Sequence, residues 1–224
     1  MHIVHKSCKH KPGVAIWITL AVAALLTLGL TAVAIANPFV THSLGSVGGP
    51  ATATAVAQEL VGPGVIVSNA VFTGANVAAG TFSGGSGIIG FNKGIILSTG
   101  DISYVKGPND SGSKSGYNSA AGLAALDVLA GGTTHDAAVL EFDVKTSGKT
   151  LFFSYVFASE EYNSYVGSSF NDVFAFWLGN GTAAKNYATV GSPAKPVSIN
   201  TINNGPNGDG TGIVSHPELF VNNN

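Results

Sequence analysis

Between residues 137 and 146 hydrophobic and polar positions alternate along the chain. Ala138, Leu140, Phe142 and Val144 fall on one side of an extended segment, and Glu141 and Asp143 fall on the other. This period of two predicts a strand with one covered face. Thr146-Ser147-Gly148-Lys149 reads as a turn. Residues 151–158 (LFFSYVFA) are apolar at both odd and even positions, which predicts a central strand covered on both sides. Residues 173–178 (VFAFWL) have the same character and stop at Gly179-Asn180-Gly181, and residues 196–202 predict a further strand. Upstream, residues 65–73 (VIVSNAVFT) predict a strand, and residues 88–99 one or two short ones, IIGF and GIILST. Helical spacing is confined to residues 51–61, with Thr52 or Thr54 as N-cap and Gly62-Pro63-Gly64 as a stop, and to residues 123–129. Residues 80–87 read as a Gly/Ser turn region and residues 101–122 as a long polar loop. The expected fold is mainly β, sandwich-like or jelly-roll-like, with one or two short helices.

The first 36 residues follow a different pattern. Lys6, Lys9 and Lys11 precede a stretch, residues 13–36, without a charge, and the stretch closes on Ala34-Ile35-Ala36 before Asn37-Pro38. A basic start, an apolar run and small residues at the −3 and −1 positions predict a signal peptide cleaved after Ala36. The length of the apolar run leaves an uncleaved membrane anchor as the alternative. Either reading sends the rest of the chain outside the cytoplasmic membrane. Residues 37–50 are expected to be a linker, and residues 51–224 one β domain.

Composition narrows the function classes. Charged residues make up 10% of the chain, against about 25% in typical globular proteins. All ten basic residues are lysines, and beyond residue 36 seven of them face twelve acids. An acidic surface without arginine argues against nucleic acid as a partner. Membrane contact is expected only through the N-terminal segment or a missing C-terminal anchor. Cys8 is the only cysteine and precedes the apolar run, so the exported domain has neither disulfide nor thiolate chemistry.

Five phrases carry a resemblance. They are GIILSTGD (94–101), GPNDS (107–111), HDAAVLEFDV (135–144), FSYVFASEEYNSYVGSSFNDVFAFWL (153–178) and PVSINTIN (196–203). Together they resemble the choice-of-anchor L domain, a family of bacterial surface proteins, over most of residues 51–220. The resemblance implies an exported protein of the cell envelope or extracellular space, without an established activity or ligand. Family domains usually continue past a segment like 218–224, so the resemblance also implies a fragment, incomplete at the C-terminus. A sandwich lacking late strands would expose apolar faces and unpaired edges.

Several short motifs carry little. Gly148-Lys149-Thr150 lacks the first glycine of a phosphate loop, since position 143 is Asp143, and a strand follows it. Ser111-Gly112-Ser113-Lys114 fits S-x-x-K but lies in a Gly-rich loop. His42, His135 and His216 are scattered, and Asn207-Gly208-Asp209-Gly210 lacks the alternating acids of a calcium loop.

The carboxylates are the serious candidates. Glu160 and Glu161 end one apolar segment, and Asn171 and Asp172 open the next. If the two pair as a hairpin, these residues meet at one rim. Three readings stay open: acceptors for backbone N–H groups, oxygen ligands of Ca²⁺, or Glu161 and Asp172 as a glycosidase-like pair about 5–10 Å apart. The leading expectation is a non-enzymatic surface or matrix module with a structural or adhesive role. Its partners would be envelope or matrix components, and no cofactor is expected unless Ca²⁺ is one. The alternative is a calcium-assisted glycan-binding module using Tyr104, Tyr117, Tyr162 and Tyr165.

Overall fold

The structure, a computed structural model, describes residues 38–107, 111, 114 and 116–223. The expected leader, its cleavage after Ala36 and the centre of the GPNDS phrase lie outside the described residues. The elements run β1 (Val40–Ser43), α1 (Ala53–Leu60), β2 (Val65–Thr73), β3 (Ala79–Ser83), β4 (Lys93–Leu97), α2 (Ala124–Ala130) and β5 (Val139–Thr146). There follow β6 (Val173–Phe174), β7 (Trp177–Leu178), β8 (Lys185–Asn186), β9 (Thr189–Val190), β10 (Lys195–Ser198), β11 (Asn203–Asn204) and β12 (Val214–Ser215). The fold is mainly β and sandwich-like, built from small antiparallel sheets with two short helices.

The N-terminal half holds the longest pairings. β2 and β5 form an antiparallel ribbon from Val65↔Thr146 to Thr73↔Val139, interrupted between Ser68 and Val71. Asn69 takes a positive φ of 52° at that bulge, and its amide nitrogen donates to Asp143 Oδ2 at 2.7 Å. Asn tolerates this conformation better than a branched residue. The in–out alternation expected for β5 is present: Leu140, Phe142 and Val144 are half-buried, and Glu141 and Asp143 exposed. Helix α1 starts where Thr52 Oγ1 accepts from the Ala55 N–H at 3.2 Å, a Ser/Thr-type cap. It buries Val56 and Ala57 completely and packs on both the β2–β5 ribbon and the neighbouring sheet. Glu59 and Lys93 join it to β4 across 2.7 Å.

That neighbouring sheet has the order β1-β3-β4 and corrects two expectations. Residues 40–43 are a strand rather than linker, pairing from Val40↔Ser83 to Ser43↔Gly80. Residues 79–83 are a strand rather than the start of a turn region, with Ala79, Gly80 and Phe82 buried. Small residues serve close approach here: a Cβ on Gly80 would lie 2.1 Å from the His42 carbonyl oxygen and 2.7 Å from Ile102 Cδ1. Ile102 itself is buried at the head of a 3₁₀ turn, Ile102–Lys106, inside the stretch expected as loop. Of the one or two strands expected over 88–99, GIILST forms one as β4, and Ile88 and Ile89 sit in a turn closed by their N–H groups on the Gly85 carbonyl.

The C-terminal half is made of short strands and turns. β10 lies between β6 and β9, and Val197 within it and Ile199 directly after it are fully buried. The strand expected over 196–202 ends at Ser198, where Thr201 Oγ1 receives the Ser198 N–H at 2.9 Å and turns the chain. The strand expected over 173–178 is split into β6 and β7. Residues 151–158 depart furthest: they belong to no sheet among the described residues, and only Phe153, Tyr155 and Phe157 are half-buried while Phe152 is 91% exposed. An apolar pattern on both faces does not require that both be covered.

Candidate functional site

The hairpin expected to bring the acids together is visible in its side chains. The Phe153 ring stacks on Phe176 with centroids 4.0 Å apart, and Tyr155 lies 4.8 Å from Phe174, the order of two antiparallel segments. Next along, Ser159 Oγ donates to Asp172 Oδ2 at 2.9 Å. The same hydroxyl oxygen accepts the Glu161 N–H at 3.1 Å and starts a tight turn. In that turn Tyr165 N–H reaches the Glu161 carbonyl at 3.0 Å and Val166 N–H the Asn163 carbonyl at 3.2 Å. Glu160 and Glu161 therefore sit in a turn rather than a strand, and the rule that neighbours point to opposite faces no longer separates them.

Each sequence-predicted residue can now be placed. Glu160 is half-buried and close enough to act electrostatically on both Glu161 and Asp172. Glu161 is half-buried, and its Oε2 is shut off from solvent with no hydrogen-bond partner. Burial first, then the charges of Asp172 and Glu160, push its carboxyl up to about 7. Asp172 is also raised, chiefly by burial and further by Glu160, with the Ser159 hydroxyl working in the opposite direction. Asn171 lies beside them with both ends of its amide engaged: Nδ2 donates to the Ala130 carbonyl at 3.1 Å and Oδ1 accepts the Asn200 N–H at 3.0 Å.

Asn200 and Asn163 belong to this rim without a marker in the sequence, and Tyr162, named above as a glycan contact, takes a structural part in it. Asn200 continues the network, donating to the Ser168 carbonyl at 3.0 Å and accepting the Gly167 N–H at 2.6 Å. Asn163 is buried, its Nδ2 donates to Asn222 Oδ1 at 3.3 Å, and its Oδ1 has no donor. Tyr162 donates its hydroxyl to the Ile202 carbonyl and packs on Phe157 and Phe220, and burial and Asp172 push its phenol upward. Away from the rim, Asp136 is buried and accepts the N–H groups of Asn118 (3.2 Å) and Ala120 (2.6 Å). The phrase His135-Asp136 in front of a clean strand was the available signal for it.

A family model described as the choice-of-anchor L domain matches residues 50–224. The chain belongs to the choice-of-anchor L domain family. The family is one of cell-surface modules and is not a known enzyme family. No curated protein and no solved structure matches the chain. Among the described residues no helix is long and apolar enough to cross a membrane.

Within this choice-of-anchor L domain the rim has a definite chemical character. It is a half-buried acidic cluster in which mutual repulsion and desolvation both favour the neutral acid. Among the described residues no group of three or more His, Cys, Asp and Glu stands at spacing suited to a metal ion. The tyrosines named as a glycan platform differ in exposure. Tyr162 and Tyr165 are beside them and half-buried, while Tyr104 and Tyr117, on other segments, are exposed. A concavity of about 250 Å³ lies elsewhere, at the end of the β2–β5 ribbon between Gly64–Ile66 and Lys145–Ser147, away from every candidate acid.

Proposed function

We propose that the chain is a non-catalytic structural and adhesive module of the cell surface or extracellular matrix. The observation that supports this reading best is how the rim uses its polar groups. Asn171, Asn200, Ser159 and Tyr162 are each bonded to the chain's own loops. They draw residues 130, 159–172 and 198–203 into one unit. Groups that act on a substrate must keep donors or acceptors open to it. The two acceptors here without a donor, Glu161 Oε2 and Asn163 Oδ1, are closed to solvent. The amide and hydroxyl groups of Asn171, Asn200, Ser159 and Tyr162 thus brace the rim from within, and envelope or matrix components are the expected partners.

The test compares producing cells that carry the chain, lack it, or carry the double variant E161Q/D172N. Loss of the chain is expected to reduce attachment of cells to one another or to a surface, and the double variant to retain attachment. Loss of attachment by a correctly folded double variant would contradict the reading and give the acids a direct role in ligand binding or catalysis.

A further inference from the structure

We propose that two copies of this chain pair antiparallel through residues 151–159, each segment serving as the other's strand partner. Among the described residues this segment makes no backbone hydrogen bond to any other, and from Phe152 to Ser159 exposed and half-buried positions alternate with a period of two. One side of it is occupied, because Phe153 and Tyr155 stack on Phe176 and Phe174. Its alternate residues Phe152, Ser154, Val156 and Ala158 are exposed. An unpaired row of N–H and C=O groups bearing apolar side chains is a template for another strand.

The segment's own pattern favours a second copy as the occupant. Leu151 to Ser159 carries no charge, so nothing within it repels itself. Lys149 stands two residues before it, and Glu160 and Glu161 follow it directly. Antiparallel pairing brings Lys149 of one copy beside the Glu160–Glu161 pair of the other, at both ends, by symmetry. A parallel arrangement would set lysine against lysine and glutamate against glutamate. Lys149 is exposed, and a cation arriving at the acids offsets the mutual repulsion of Glu160, Glu161 and Asp172.

Only one register keeps the exposed faces together and opposes the charges. It centres on Tyr155, which meets its own copy on the two-fold axis. Phe152 then faces Ala158 and Ser154 faces Val156, each a large residue against a small one.

Sedimentation of the full chain across a wide concentration series tests the pairing, with Cys8→Ser to remove the only native thiol. A monomer–dimer equilibrium is expected. F152K is expected to abolish it, and K149E to weaken it about tenfold through like charge at both ends. Phe152 is 91% exposed, so its replacement leaves the fold intact. The variant S154C/V156C fixes the register, since facing strand positions bring Cβ atoms within disulfide range. It is expected to cross-link two copies under oxidation, whereas S154C alone is not. A chain that stays monomeric at every concentration, or a dimer indifferent to both F152K and K149E, would overturn the proposal. Cross-linking through S154C alone would overturn the register and with it the Lys149 contact.

Discussion

At the scale of single residues, Glu161 is the group whose behaviour the structure specifies most sharply. Its carboxyl is raised from an ordinary value of 4.5 to about 7 by burial and by two neighbouring acids. A group raised in the folded state holds its proton more tightly there than in the unfolded chain. Its stabilising effect is complete below the unfolded value and is lost as pH rises through about 7. Asp172, raised in the same direction, adds to the same trend. E161Q removes most of this dependence. In urea melts it is expected to match the parent near pH 5 and exceed it near pH 8 by on the order of 1 kcal/mol, solvent screening at the half-open site reducing the full effect. A parent whose stability rises between those values would contradict the assignment. Calcium provides a second residue-level check. With the Asn171 amide engaged at both ends and the acids repelling one another, Ca²⁺ and chelator are expected to leave the melting temperature unchanged. A rise of several degrees reversed by chelator would instead place the ion among Glu160, Glu161, Asn171 and Asp172.

At the scale of elements, legibility followed the strength of the local signal. Helix α1 and strands β2 and β5 were readable because a capping threonine, a Gly-Pro-Gly stop and a clean alternation each act over neighbouring residues. β3 was not, because Gly80 is small for a tertiary reason, the approach of His42 and Ile102, which only the folded chain reveals. G80A is therefore expected to lose about 1–3 kcal/mol in denaturant melts through overpacking, where a helix or loop position would tolerate it. The meeting of Glu160, Glu161 and Asp172 could be anticipated from two apolar segments read as a hairpin, with the acids at their facing ends. Asn163 and Asn200 could not, since a polar residue in a turn has no period to mark it, and Asp136 had only its place in front of a clean strand to mark it. Asp136 holds the chain before β5 by two backbone N–H groups. D136A leaves both donors without their acceptor, and a loss of about 2 kcal/mol or more is expected. An unchanged melt would mean that water replaces the carboxylate at no cost.

At the scale of the whole molecule, stability is distributed over several small sheets. Helix α1 couples β2–β5 to β1-β3-β4, and side-chain bonds from Asn171, Asn200, Thr201 and Asn203 organise the C-terminal half, where strands are two to four residues long. Such a design relies on amide and hydroxyl groups where many exported domains use disulfides. It also leaves apolar side chains such as Phe152 and Phe170 outside, a surface suited to contact with other macromolecules.

Protease shaving of intact producing cells, with the released peptides read by mass spectrometry, asks most directly whether the module works at the cell surface. Peptides from the choice-of-anchor L domain, residues 50–224, are expected in the released fraction before any cytoplasmic marker. Their recovery only after the cells are lysed would contradict the account.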